Sequence, residues 1–116
     1  MLEIDVIIDE KVSGLVKADI ERMREYARYP LTRNGVSIGE INIVFIDDEF
    51  MAELNETYKG RSGTTDVLSF NLTNEFMEGL SGEIYISPER ANAQADELGA
   101  SREEETIRLL THGLLH

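Results

Sequence analysis

No cysteine occurs among the 116 residues, so disulfides, iron–sulfur clusters and thiolate zinc sites are excluded. Any metal must be held by nitrogen and oxygen ligands. Basic residues are scarce: 11 Lys and Arg stand against 23 Asp and Glu, for a formal net charge of −12. That acidity argues against a broad cationic surface for gripping duplex nucleic acid, because phosphate contacts need clustered positive charge, and leaves room for a small local basic site. No stretch approaches the roughly 20 apolar residues that a spanning helix requires. The opening Met1-Leu2-Glu3-Ile4-Asp5 carries acids where a signal peptide needs positive charge and then an apolar run. The expectation is a cytoplasmic chain with no membrane partner, in which the sequons Asn55-Glu56-Thr57 and Asn71-Leu72-Thr73 occur by chance. Internal repeats and low-complexity segments are absent, and the two prolines fall at expected element boundaries.

What is present is the composition of one soluble globular domain spanning residues 1–116, with 41% hydrophobic and 29% charged residues. Residues 2–8 alternate and then turn wholly apolar, as a half-buried first strand does. Val16, Ile20, Met23 and Ala27 recur at helical spacing, which predicts a helix over 14–28 stopped before Pro30. Ile41, Ile43 and Phe45 fall on one face of a second strand, with Val44 and Ile46 on the other. Asp47 or Asp48 then caps a short helix with Phe50, Leu54 and Tyr58 along one side. Further strands are predicted over 66–70 and 83–87, with a surface excursion over 71–81 between them. Ser87-Pro88-Glu89 opens a third helix with Ser as N-cap and Pro at the first position, and Gly99 ends it. Ser101 to Glu104 matches a capping box for a last helix. The fold class expected is α+β: a single sheet of about four strands with helices packed against it. The last of these helices, at the C-terminus, carries the candidate metal ligands.

Both histidines lie in the final segment Thr111-His112-Gly113-Leu114-Leu115-His116. A separation of four puts His112 and His116 on one helical face, the spacing at which two imidazoles bind one metal ion. They fall opposite the stripe Ile107, Leu110 and Leu114, on a turn apolar on most sides. An isolated pair of this kind also suits two ordinary surface histidines, and zinc wants at least three protein ligands. Gly113 stands where a metalloprotease carries its glutamate base, which disfavours that chemistry. The second candidate is the loop Lys59-Gly60-Arg61-Ser62-Gly63-Thr64-Thr65, which has two glycines, two cations and no acid. Its cations and free backbone N–H groups suit a phosphate. It lacks the Gly-Lys-Ser/Thr ending of a nucleotide-binding P-loop, and a solvated turn with incidental charge is the plainer alternative. The acids at Glu103-Glu104-Glu105 read as a solvated face in the first turn of a helix.

Taken together, four segments resemble the YbeY family of bacterial metal-dependent endoribonucleases of rRNA maturation. They are Leu54-Asn55 with Tyr58-Lys59-Gly60, Thr65-Asp66-Val67-Leu68-Ser69-Phe70, Gly82-Glu83-Ile84-Tyr85-Ile86 and His112-Gly113-Leu114-Leu115-His116. The resemblance covers most of the chain from residue 41 onward. It implies a zinc-dependent, single-strand-specific endoribonuclease with one zinc ion per intact chain, of which His112 and His116 are the first two ligands. In the family the motif continues through a Gly-Tyr-Asp turn to a third histidine, which the sequence to His116 does not contain, so the domain is expected to extend further. The family's arginine implicated in RNA cleavage aligns with Lys59, and Arg61 follows two residues later. Lysine offers a point charge rather than a planar fork, so both are candidate catalytic cations. Thr65 and Ser69 are candidates for positioning substrate. The implied partners are rRNA or other single-stranded RNA and the small ribosomal subunit or its proteins. A delivering partner would reconcile an RNA substrate with a charge of −12. The rivals are a metallohydrolase of another bond, such as an amide, and a non-catalytic ribosome assembly factor with a structural metal.

Overall fold

The computed structural model describes residues 2–12, 17–33, 35–61, 63, 65–73 and 79–99. In chain order these form β1 (Leu2–Ile8), α1 (Lys17–Arg33), β2 (Gly39–Phe45), α2 (Asp48–Lys59), β3 (Val67–Asn71), β4 (Leu80–Ile86) and α3 (Pro88–Leu98). The four strands make one sheet in the order β1-β2-β4-β3. β1, β2 and β4 run parallel, and β3 pairs antiparallel with β4 at one edge. The expected α+β architecture is therefore what the chain adopts. The segment from Ser101, with its capping box and both histidines, lies outside the described residues.

Alternation along each strand gives the sheet two faces. On the first, Leu2, Ile4, Ile41, Ile43, Phe45, Ile84 and Ile86 are all buried, joined across strands in the register Ile4 to Ile41, Ile43 to Ile84 and Phe45 to Ile86. Met23, Ala27 and Leu31 of α1 close over this layer. Each large apolar side chain so buried contributes about 1.5–3 kcal/mol. On the second face, Val44, Leu68, Phe70 and Tyr85 pack with Ile46 and with Met51 and Leu54 of α2. Toward β1 this second face turns acidic and open, with Glu3, Asp5 and Glu40 exposed.

The bounds of three elements and the buried face of a fourth depart from the sequence expectations. α1 runs through Pro30 to Arg33 instead of stopping before it. The proline removes one N–H from the helical ladder and crowds the preceding turn, at a cost of about 3 kcal/mol. Burial of Leu31 offsets much of this, and the Thr32 hydroxyl lies 3.0 Å from the Arg28 carbonyl and 3.1 Å from that of Tyr29. α2 is capped by Asp47, whose carboxylate accepts from the Phe50 N–H at 2.9 Å, but its inner face is not Phe50, Leu54 and Tyr58. Phe50 and Tyr58 are 39% and 64% exposed, whereas Met51 and Asn55 are buried and Leu54 half-buried. A buried asparagine is invisible to a search for apolar periodicity. β4 begins at Leu80 rather than Glu83, because Leu80, Ser81 and Gly82 pair with Gly39, Glu40 and Ile41 of β2. Asn71, Leu80 and Ser81 therefore belong to strands rather than to a surface excursion, and the Leu72 N–H donates to the Ser81 carbonyl at 2.8 Å. β3 is displaced by one residue, leaving Asp66 outside the strand. α3 starts and ends as expected: Ser87 caps it, Pro88 opens it and Gly99 closes it in the left-handed conformation.

Candidate nucleic-acid interface

The basic loop is anchored by the helix that precedes it. α2 ends at Lys59, and Gly60 adopts φ 66° and ψ 22°, the left-handed region that glycine enters without a Cβ penalty. The chain then folds back on the helix. The Gly60 N–H donates to the Glu56 carbonyl at 3.2 Å and the Arg61 N–H to the Asn55 carbonyl at 3.4 Å. From inside the helix, the Asn55 side-chain amide donates to the Gly63 carbonyl at 3.1 Å. Asn55 is 5% exposed and is the only charged or polar side chain besides Ser87 that is buried among the described residues. Its burial is accounted for by this bond, since a buried amide must find a partner. One residue thus fixes the loop at two points and sets where Arg61 leaves the helix end.

Lys59 and Arg61 are both exposed, and among the described residues neither is held by a carboxylate. The Lys59 ammonium lies 5.3 Å from the centroid of the Phe70 ring, within range of a cation–π attraction. Phe70 in turn sits between two tyrosines. Its centroid is 5.5 Å from that of Tyr58 at an interplanar angle of 76°, and 5.7 Å from that of Tyr85 at 84°. Both are the edge-to-face arrangement favoured by aromatic quadrupoles. The Tyr85 hydroxyl donates to Glu83 at 3.2 Å. Burial, and after it the Glu83 charge, pushes the Tyr85 phenol above its ordinary value.

The other candidates sit elsewhere on this frame. The Thr65 hydroxyl donates to Asp66 at 3.4 Å, and Asp66 also accepts from the Gln94 amide of α3 at 3.1 Å. The Asp66 carbonyl accepts from the Ser87 N–H at 3.1 Å. Thr65 therefore stands at the head of β3, tied to the start of α3. Ser69 precedes Phe70 on β3 and pairs with Ile84, so its side chain falls on the α1 face of the sheet, opposite Lys59. Lys59 and Arg61 are brought together at one helix end, Thr65 stands nearby in sequence at the head of β3, and Ser69 is not directed to the Lys59 side. His112 and His116 lie outside the described residues. Among the described residues no group of three or more His, Asp or Glu side chains is placed to hold a metal ion. Also among them, no helix is long and apolar enough to cross a membrane.

In the sequence, Asn55, Tyr58, Phe70 and Tyr85 carry no functional signal of their own beyond the family resemblance. The aromatic chain comes from three separate elements, and the β3–β4 register that joins it is not written in any one of them. Asn55 could have been found as the single polar residue inside the buried arc of α2.

Comparison with known proteins places the chain. The family described as Endoribonuclease YbeY matches residues 4–116. Among curated relatives, Endoribonuclease YbeY of Aquifex aeolicus is 39% identical over 112 residues, covering 96% of this chain and 73% of that protein. The relative of the same name from a Sulfurihydrogenibium species is 43% identical over 115 residues, covering 96% of this chain and 74% of that one. That of Flavobacterium johnsoniae is 42% identical over 80 residues, covering 67% of this chain and 55% of the relative. These matches span from about half to three quarters of the relatives' own length. In fold, the chain resembles the solution structure of a Thermotoga maritima protein, with TM-score 0.64 and 26% identity over 100% of this chain and 71% of that one. The chain belongs to the YbeY endoribonuclease family.

Proposed function

We propose that this protein is a zinc-dependent endoribonuclease that cuts single-stranded RNA during rRNA maturation, in the cytoplasm and in association with the small ribosomal subunit. The observation that carries the reading is the helix end of α2. There an otherwise acidic chain presents two cations, Lys59 and Arg61, that no carboxylate holds among the described residues, on a loop fastened by Asn55 and beside exposed aromatic surface. Cations held at a fixed place stabilise the charge that develops on a phosphodiester as it is cleaved. Lys59 supplies a mobile point charge and Arg61 a fork able to take two phosphate oxygens. Thr65 positions the loop through Asp66, and Ser69 supports β3 from the opposite face.

The donor chemistry of the remaining candidates fits a zinc ion. His112 and His116 offer two imidazole nitrogens at helical spacing in a chain with no thiolate to compete. They would hold the ion, about one per chain, with a further ligand completing the three that a catalytic site needs. The chemistry such an ion would supply is polarisation of a phosphate oxygen or a lowered pKa for water. The chain's own contribution is to hold the scissile phosphate with Lys59 and Arg61 and to keep Arg61 aimed through the Asn55–Gly63 bond.

The test is cleavage of a single-stranded rRNA fragment by the full-length gene product, with metal content measured on the same preparation. Lys59→Ala and Arg61→Ala are each expected to lower the cleavage rate by about a hundredfold, the scale of losing one charge-stabilising donor, without changing zinc content. His112→Ala is expected to lose both metal and cleavage. Full cleavage in the two cation variants would overturn the assignment of the site.

A further inference from the structure

Tyr58 has no structural task that explains its exposure. It is 64% exposed, more than any other large apolar or aromatic residue among those described except Tyr29, which matches it, yet its ring is held. Phe70 meets it edge-to-face, Tyr85 meets Phe70 likewise, and Glu83 holds the Tyr85 hydroxyl. The ring is thus preorganised by a chain of contacts that leads inward to the sheet, while most of its own surface is left to solvent. Next to it in sequence, Lys59 reaches over Phe70 and so keeps its ammonium on the same side of the sheet.

Resting on the RNA reading above, we infer that Tyr58 is a stacking platform for one unpaired base of the substrate, with Lys59 neutralising a phosphate flanking that base. A planar, exposed ring beside a cation is the chemistry by which proteins bind single-stranded nucleic acid without reading its sequence. Every base has a π-face, so the contact is tolerant of sequence, but in a duplex both faces are occupied by neighbouring bases. The platform therefore selects single strands. It also answers the charge problem of the chain: with a net charge of −12, long-range attraction to RNA is weak, and a neutral stacking contact supplies affinity that does not depend on it. The Tyr29 ring, equally exposed, lies near the end of α1, where its hydroxyl is engaged by Arg33 and no aromatic partner fixes it among the described residues.

The experiment is binding of a fluorescein-labelled single-stranded RNA dodecamer to the full-length gene product, by anisotropy over a series of salt concentrations. Tyr58→Ala and Tyr58→Leu are each expected to bind roughly five- to a hundredfold more weakly, the range for removing a base-stacking aromatic. Both should keep the salt slope of the unmutated protein, since no phosphate contact is lost. Lys59→Ala is expected to lower that slope. Tyr58→Phe should bind within about twofold of the unmutated protein, because the stacking face is kept. These 116 residues have no tryptophan, so Tyr58→Trp adds an emitter at the platform, read as the difference from the unmutated protein. It should bind at least as tightly, with its emission quenched by the single strand and not by a duplex of the same sequence. Unchanged affinity in Tyr58→Leu, or an unquenched Tyr58→Trp, while the unmutated protein binds, overturns the platform alone. Tyr58 variants that keep RNA affinity but lose binding to the small ribosomal subunit would make this a protein-docking face instead. An unmutated protein with no affinity for any single strand overturns the RNA reading as well.

Discussion

Asn55 offers the sharpest test of how the basic loop is held. Replacing it with alanine removes the 3.1 Å bond to the Gly63 carbonyl. Gly63 is exposed, so water can take up its freed carbonyl, and the loss is that of one net intramolecular hydrogen bond, about 1 kcal/mol. Asn55→Asp is nearly isosteric and should cost more. Its carboxylate cannot donate, it would face a carbonyl oxygen, it lies close to the negative end of the α2 dipole, and the position is 5% exposed. Removing a partner from a buried polar site and adding a charge there costs about 1–3 kcal/mol or more. The two variants also differ in pH dependence. Burial raises the folded-state pKa of the new carboxyl above its unfolded value of about 3.9. Below that value the group is protonated in both states, can donate to Gly63, and the destabilisation is small. As pH rises through the unfolded and then the folded pKa, the unfolded chain loses its proton first and the destabilisation grows to its full size. Urea unfolding of both variants at acid and neutral pH reads this directly. With a slope of about 2 kcal/mol per molar, Asn55→Ala should move the midpoint by about 0.5 M at either pH. Asn55→Asp should move it further at neutral pH and less in acid. Equal midpoints for all three proteins, or a shift in Asn55→Asp that does not change with pH, would refute the role assigned to this bond.

Other perturbations have outcomes set by the same structure. Met51 is fully buried between α2 and the sheet, so Met51→Ala should cost about 2–5 kcal/mol, read as a loss of unfolding midpoint. Gly60→Ala places a Cβ at φ 66° and should cost about 1–2 kcal/mol, with Gly60→Asn milder because asparagine enters this region more readily. The raised Tyr85 phenol contributes stability that is complete below its ordinary value of about 10 and declines as pH rises from there through the folded value. Tyr85→Phe should therefore unfold less steeply with alkali than the unmutated protein. Glu83→Gln should bring the Tyr85 titration down only partway, since burial, the larger cause, remains.

The architecture was legible because its main signals are local and agree with one another. Ile41, Ile43 and Phe45 alternate over a short span, Ser87-Pro88 and Gly99 bracket α3, and Asp47 caps α2. Boundaries failed where a long-range gain outweighed a local rule. Burying Leu31 carries α1 past Pro30, and pairing with β2 draws Ser81 and Gly82 into a strand that their side chains do not advertise. The basic loop was legible as charge density, and its anchoring was not, because the bond from Asn55 to Gly63 joins a helix interior to a loop eight residues on. Adjacent positions on a strand face opposite ways, so Ser69 and Phe70 lie on different faces of the sheet. Only the structure shows that Phe70, rather than Ser69, shares its face with Lys59.

The central claim is that the loop after α2 acts on single-stranded RNA. It is tested most directly by digesting one end-labelled RNA, presented as a single strand and as a duplex, with the full-length gene product and its Lys59→Ala, Arg61→Ala double variant. Internal cuts are expected in the single strand, with the duplex left intact and those cuts lost in a double variant that remains folded. Cleavage that survives in the double variant, or a single strand left whole by the unmutated protein, would contradict the claim.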